Sequence, residues 1–223
     1  MKSSTLSPDL GNANVGSIVM FLVYPCGCTF FVAEMTIMKA NAKRLTLSAV
    51  LMGLAAVLSV VRVYELPMGG SITLLSMLPI CVISMCYGWK WGTFCSLIYA
   101  GLQLAMGFGQ LMGYGMTPAI WIGCLLFDYL FPFGGLGFSG MFRKCGTWGM
   151  CSGICISIAF RFLCHFLSGV ILFGEFAPAG QNIYLYSLVY NGSYMLPEMI
   201  LTVVGAVLLL RLPQIKKLIE ERQ

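Results

Sequence analysis

Four ionisable side chains fall inside long apolar runs of this 223-residue sequence: Asp128, Arg161, His165 and Glu198. Such groups are costly away from water and mark either a paired structural site or a functional one. Arg161 and His165 are four residues apart, so on a helix they share a face. A buried carboxylate is the simplest partner for Arg161, and a hydrogen-bonded core position the simplest reading of the single histidine. The residues that follow shift that balance. Downstream of His165 come Phe173, Glu175 and Phe176, then Tyr184, Tyr186, Tyr190, Asn191 and Tyr194. Tyrosines collect at membrane interfaces, so some of these only anchor. With an asparagine and carboxylates in the same bundle, they also supply what a site for a heteroaromatic organic cation needs. Those needs are aromatic faces for cation–π contact, a countercharge, and amide-type donors and acceptors.

The composition decides where these groups reside. The chain is 59% hydrophobic and 9% charged, against about 25% charged residues in a soluble domain. It belongs in lipid. A span needs roughly 20 apolar residues, and apolar stretches occur at residues 45–63, 72–87, 91–106, 120–136, 146–173 and 184–212. The expected fold is therefore an all-α membrane protein, a bundle of six transmembrane helices. The second stretch is short, which a tilt or a break near Pro79 would explain. Lys39, Lys43, Arg44, Lys90, Arg143, Lys144, Arg211, Lys216, Lys217 and Arg222 fall on one side of this map, against Arg62 alone on the other. Basic residues favour the cytoplasmic side, so both termini are expected inside. The loops near residues 64–71, 107–119 and 174–183 are then expected to face outward.

Several function classes drop out. The formal net charge of +5 is accounted for by those cytoplasmic loops and calls for no nucleic acid. Most of the ten cysteines lie in apolar runs, where a free thiol behaves as a small hydrophobe. One histidine and no paired C-x-x-C make a metal site improbable. An intramembrane enzyme would need a metal cluster, paired carboxylates or an activated nucleophile. No H-E-x-x-H, G-x-S-x-G or adjacent acid pair occurs within a span. A purely structural membrane protein leaves Asp128, His165 and Glu198 without purpose. Helix one also carries Ala49, Gly53 and Ala56, whose spacing permits close helix approach, within the bundle or toward a partner.

The stretch Arg161-Phe162-Leu163-Cys164-His165, Ser168-Gly169-Val170, residues 173–178, residues 186–194 and Pro197-Glu198 resembles the ThiT/YuaJ family. These are thiamine-specific S components of energy-coupling factor transporters. Residues 69–74 and 76–80 resemble that family's segment entering helix two. The likeness runs from about Arg44 to Leu212. It implies a subunit, not an enzyme and without a cofactor, that captures thiamine at the outer face. Such subunits pass it inward with a transmembrane coupling protein and two ATPase subunits. No Walker A motif occurs in the chain, so ATP chemistry would come from those partners. An S component for another vitamin would share the fold and differ in the pocket. Carried onto this sequence, the resemblance implies a thiamine site of Asp128, Tyr129, His165, Phe173, Tyr186 and Asn191, with Tyr99 as a further wall. Asp128 stands where the family usually has glutamate, and Phe173 where related members can carry tryptophan. The resemblance also makes Ala49, Gly53 and Ala56 the docking face. Residues 8–16 back-translate to a string that resembles the 3′ consensus of the thiamine-pyrophosphate riboswitch. This implies a non-native leader over residues 1–38 with a true start at Met35 or Met38, the alternative being a disordered or apolar extension, and one S-component domain over residues 39–223.

Overall fold

The structure, a computed structural model, describes residues 28–66, 69–178 and 180–220, with side chains from residue 40 onward. Residues 1–27 of the expected leader lie outside the described residues. The chain divides into two units, Met1–Thr46 and Leu47–Gln223. In the first, the described residues are helical. The second holds everything that follows.

Helix α1 covers Cys28–Val60 and gives way to a two-stranded antiparallel hairpin, β1 (Arg62–Glu65) and β2 (Ser71–Thr73). Next come α2 (Leu78–Tyr87) and α3 (Trp89–Gly113). Helix α4 spans Pro118–Gly140 but changes pitch along its length. It is α-helical at Pro118–Cys124, π-helical at Leu125–Leu130, α-helical at Phe131–Gly134 and 3-10 at Gly135–Gly140. Helices α5 (Gly146–Ile171), α6 (Ile183–Arg211) and the short α7 (Pro213–Glu220) complete the chain.

Among the described residues, five helices are long and apolar enough to cross a membrane, with spans at Ala40–Val60, Trp89–Gly113, Pro118–Gly140, Arg143–Ile171 and Ile183–Arg211. Their outward faces carry exposed Val50, Val57, Ile122, Leu163, Leu196, Ile200 and Leu208. In water such a surface would aggregate; in lipid it is satisfied.

The second expected span is built differently from the reading of residues 72–87 as one helix. Residues 72 and 73 belong to β2, and the helix begins only at Leu78, with Pro79 in its first turn. Proline there lacks an N–H that the first turn could not use, so it starts the helix instead of breaking it. Ten residues reach about 15 Å, half the apolar thickness of a bilayer. Helix α2 is apolar all round and every residue from Leu78 to Cys86 is buried. That is the signature of a core element. Ile80, Cys81, Ile83 and Met85 pack with Leu136, Ile154, Ile158 and Met195 in the central cluster. Glycines bring the helices close there: a Cβ on Gly137 would lie 2.2 Å from the Thr93 backbone nitrogen, and one on Gly153 2.4 Å from the Ser139 carbonyl oxygen. The hairpin, the six-residue π segment and α7 had no counterpart in the sequence map.

Candidate functional site

A cavity of about 730 Å³ opens among the hairpin and helices α3, α4, α5 and α6. The hairpin contributes Glu65, Ser71 and Thr73, α3 contributes Gln103 and Gln110, and the α5–α6 connection contributes Phe173 and Phe176. The cavity therefore sits where the three expected outward loops converge.

The π-helical turn in α4 presents the first acid. Asp128 and Tyr129 are adjacent in sequence, yet both line the cavity. A one-turn π segment inserts an extra residue into the helical register, a distortion common at functional sites. Asp128 is hydrogen-bonded at both carboxylate oxygens. Oδ1 lies 3.1 Å from His165 Nδ1, and Oδ2 takes the Ser168 hydroxyl at 2.7 Å. His165 and Ser168 are three apart on α5, so one helix face delivers both. The other ring nitrogen, His165 Nε2, is buried with no hydrogen-bond partner among the described residues.

On α6 the residues Ser187, Asn191, Tyr194 and Glu198 follow a three-to-four spacing and are all buried. The Asn191 amide nitrogen donates to the Ser187 carbonyl at 2.9 Å and to the His165 carbonyl at 3.3 Å. Its oxygen accepts from the Tyr194 hydroxyl at 2.8 Å. Asn191 thus ties α6 to α5 at the level of the histidine. Glu198, only 4% exposed, holds the hairpin. Its Oε1 accepts from the Thr73 amide at 2.8 Å and the Thr73 hydroxyl at 2.5 Å. The hairpin also approaches α6 at Gly70, where a Cβ would lie 2.7 Å from the Tyr194 ring.

Arg161 does not pair with a carboxylate among the described residues, contrary to the simplest sequence reading. Its guanidinium lies 4.1 Å from the centre of the Phe133 ring, a cation–π contact. Its Nε and Nη1 are buried with no hydrogen-bond partners among the described residues. Aromatic walls complete the cavity. Tyr186 and Tyr190 have ring centres 5.9 Å apart, Tyr190 and Tyr194 are 6.1 Å apart, and Phe173 lies 6.0 Å from Phe176.

The sequence profile described as "Thiamine transporter protein (Thia_YuaJ)" matches residues 45–218. The chain belongs to this family. It is 33% identical over 189 residues to the thiamine transporter ThiT of Bacillus subtilis, covering 78% of this chain and 94% of that protein. A shorter stretch is 42% identical over 65 residues to the thiamine transporter ThiT of Lacticaseibacillus paracasei, covering 29% of this chain and 32% of that protein. A solved structure of ThiT from Listeria monocytogenes matches with a TM-score of 0.66 at 24% identity, over 81% of this chain and 98% of that one. This last likeness bears on the fold. As a member of a thiamine transporter family with five long apolar helices, the chain is a multi-pass protein of the cell membrane. It is a transport protein and not an enzyme.

Within this thiamine transporter fold, the seven residues expected from the sequence to form the thiamine site line the same cavity: Asp128, Tyr129, His165, Phe173, Tyr186, Asn191 and Tyr99. Tyr99 is 1% exposed, donates to the Ala55 carbonyl at 3.2 Å and accepts from Gln103 at 2.6 Å. It forms a floor as much as a wall. Arg161 and Glu198 stood out as buried charges but had no role assigned; both line the cavity. Tyr190 and Tyr194 stood among the aromatic residues noted downstream of His165 and Ser168 within the family-like stretch, all three without an assigned site role, and Gln103 was not singled out; all four line the cavity. Ser168 could have been given a role, since it follows His165 by one turn. Ala49 and Gly53 lie exposed on α1, and open space surrounds the position a Gly53 Cβ would take. Ala56 is half-buried against the core.

Proposed function

We propose that this chain is the thiamine-binding S component of an energy-coupling factor importer, with six membrane-crossing elements and both termini in the cytoplasm. In this reading α2, lengthened by β2 and the turn before it, serves as the sixth element. Thiamine carries a permanent positive charge on its thiazolium ring. In a low-dielectric bundle that charge needs a carboxylate and aromatic faces nearby. The observation that carries the proposal is the convergence of Asp128, Glu198, His165, Tyr186, Tyr190 and Phe173 on one cavity of about 730 Å³. That size suits a two-ring ligand. By formal charge the acids lining the cavity, Glu65, Asp128 and Glu198, outnumber the bases Arg62 and Arg161 by one, an excess that a monovalent cation offsets.

Capture occurs at the outer face, where the three loops meet. Release inward depends on a transmembrane coupling protein and two ATPases. Ala49, Gly53 and Ala56 provide the small-residue face on which the coupling protein seats. Uptake of labelled thiamine, in cells lacking their own thiamine carriers, tests the partnership. Accumulation is expected only when the chain is expressed together with a coupling protein and its ATPases. Accumulation by the chain alone would overturn the dependence.

A further inference from the structure

The ends of α2, α3, α4 and α5 away from the cavity form a corner that the thiamine site does not use. Helix α2 passes into α3 at Gly88, and α4 is joined to α5 through a short 3-10 turn at Arg143–Cys145. Gly88 and Gly146 hold φ of +87° and +67°, a region that strains other side chains, so glycine sets both turns. The two connections also touch. Arg143 Nη1 donates to the Cys86 carbonyl at 2.9 Å, and a Cβ on Gly140 would lie 3.0 Å from the Trp89 backbone nitrogen.

On this close-packed frame Lys90 and Lys144 stand exposed, with no carboxylate partner among the described residues. The Lys90 ammonium lies 5.8 Å from the centre of the Trp89 ring. Trp89 is 45% exposed, and Trp148, at 87%, is the most exposed large apolar side chain among the described residues. Uncovered tryptophans near the start of a span mark headgroup depth. Helices α2, α3, α4 and α5 hold one acid between them, Asp128, and it lies in the cavity. They therefore bring three basic side chains to one corner without an acid. The basic group near α7 differs, since Lys216 there has Glu220 at 3.9 Å.

We propose that this corner binds the headgroup of an anionic phospholipid, with Lys90 and Lys144 at its phosphate and Trp89 and Trp148 beside its ester groups. Charge complementarity selects the occupant. Phosphatidylglycerol keeps the negative charge of its phosphate, whereas the choline of phosphatidylcholine cancels it. Basic pockets between helices at the membrane surface take such headgroups.

Tryptophan fluorescence reads the corner directly in the full chain reconstituted into phosphatidylcholine vesicles. Brominated phosphatidylglycerol should quench in preference to brominated phosphatidylcholine by at least about tenfold in apparent affinity, and added salt should reduce that preference. Lys90→Gln with Lys144→Gln should bring it to within about threefold, while Lys90→Arg with Lys144→Arg, which keeps the charge, should retain it. Arg211→Gln with Lys216→Gln should also retain it. Equal quenching by the two lipids in the parent overturns the proposal. So does a preference that survives Lys90→Gln with Lys144→Gln, or one lost equally with Arg211→Gln and Lys216→Gln, which would show diffuse charge only. Inorganic phosphate that abolishes the preference, where chloride at equal ionic strength does not, would assign the corner to a soluble anion instead.

Discussion

Glu198 illustrates how a single side chain serves both structure and site. Its carboxylate takes two hydrogen bonds from Thr73, so it holds the hairpin that walls the cavity. Glu198→Ala leaves the buried Thr73 amide without its acceptor, at a cost of about 1–3 kcal/mol, while the Thr73 hydroxyl keeps Ser76 at 2.6 Å. Melting of the purified protein should shift downward and thiamine binding should weaken together; an unchanged melting temperature with full affinity would contradict this role. At Phe173 the expected direction is opposite. Tryptophan is the strongest cation–π partner, and Phe173 sits beside Phe176 at the cavity's edge. Phe173→Trp should keep or improve thiamine affinity in a binding titration, and a loss beyond about tenfold would remove Phe173 from the aromatic wall. Glu198 was legible in the sequence because lipid makes a buried charge conspicuous, and Phe173 because it lies in the family-like stretch after His165. The roles of Ser168 and Gln103 were not, since hydroxyls and amides are ordinary in spans. The bond between Asn191 and the His165 carbonyl depends on where α5 and α6 cross, which spacing along one helix does not reveal.

Among the elements, α3, α4, α5 and α6 were readable within a few residues at most ends, because each is a long apolar run bounded by glycine, proline or charge. Helix α2 was not. Its ten buried residues carry the same apolar composition as a lipid-facing span, and the turn from β2 to Leu78 leaves only a proline as a trace. The π turn at Leu125–Leu130 is equally silent in the sequence, yet it sets Asp128 and Tyr129 on the cavity. Two glycines separate internal packing from an outward face. Gly53 has open space around it, whereas a Cβ on Gly153 would press on the Ser139 backbone. Gly53→Leu should fold, bind thiamine as the parent does, and lose uptake. Gly153→Leu should reduce the yield of folded protein, since overpacking backbone contacts costs about 1–3 kcal/mol or more. Normal uptake by Gly53→Leu would count against a docking face on α1.

For the whole molecule, the proposed orientation, with the cavity facing outward, rests on the distribution of basic residues. Gly180 is exposed in the connection between α5 and α6, so a cysteine placed there, in a background without accessible thiols, should react with an impermeant reagent on intact cells. Reaction only after permeabilisation would invert the topology. The larger claim is that this bundle exists to capture thiamine. Calorimetric titration of the purified protein with thiamine, and separately with riboflavin, tests it most directly. Saturable one-to-one binding of thiamine with no binding of riboflavin is the predicted result. Riboflavin bound in place of thiamine, or no thiamine binding by folded protein, would contradict it.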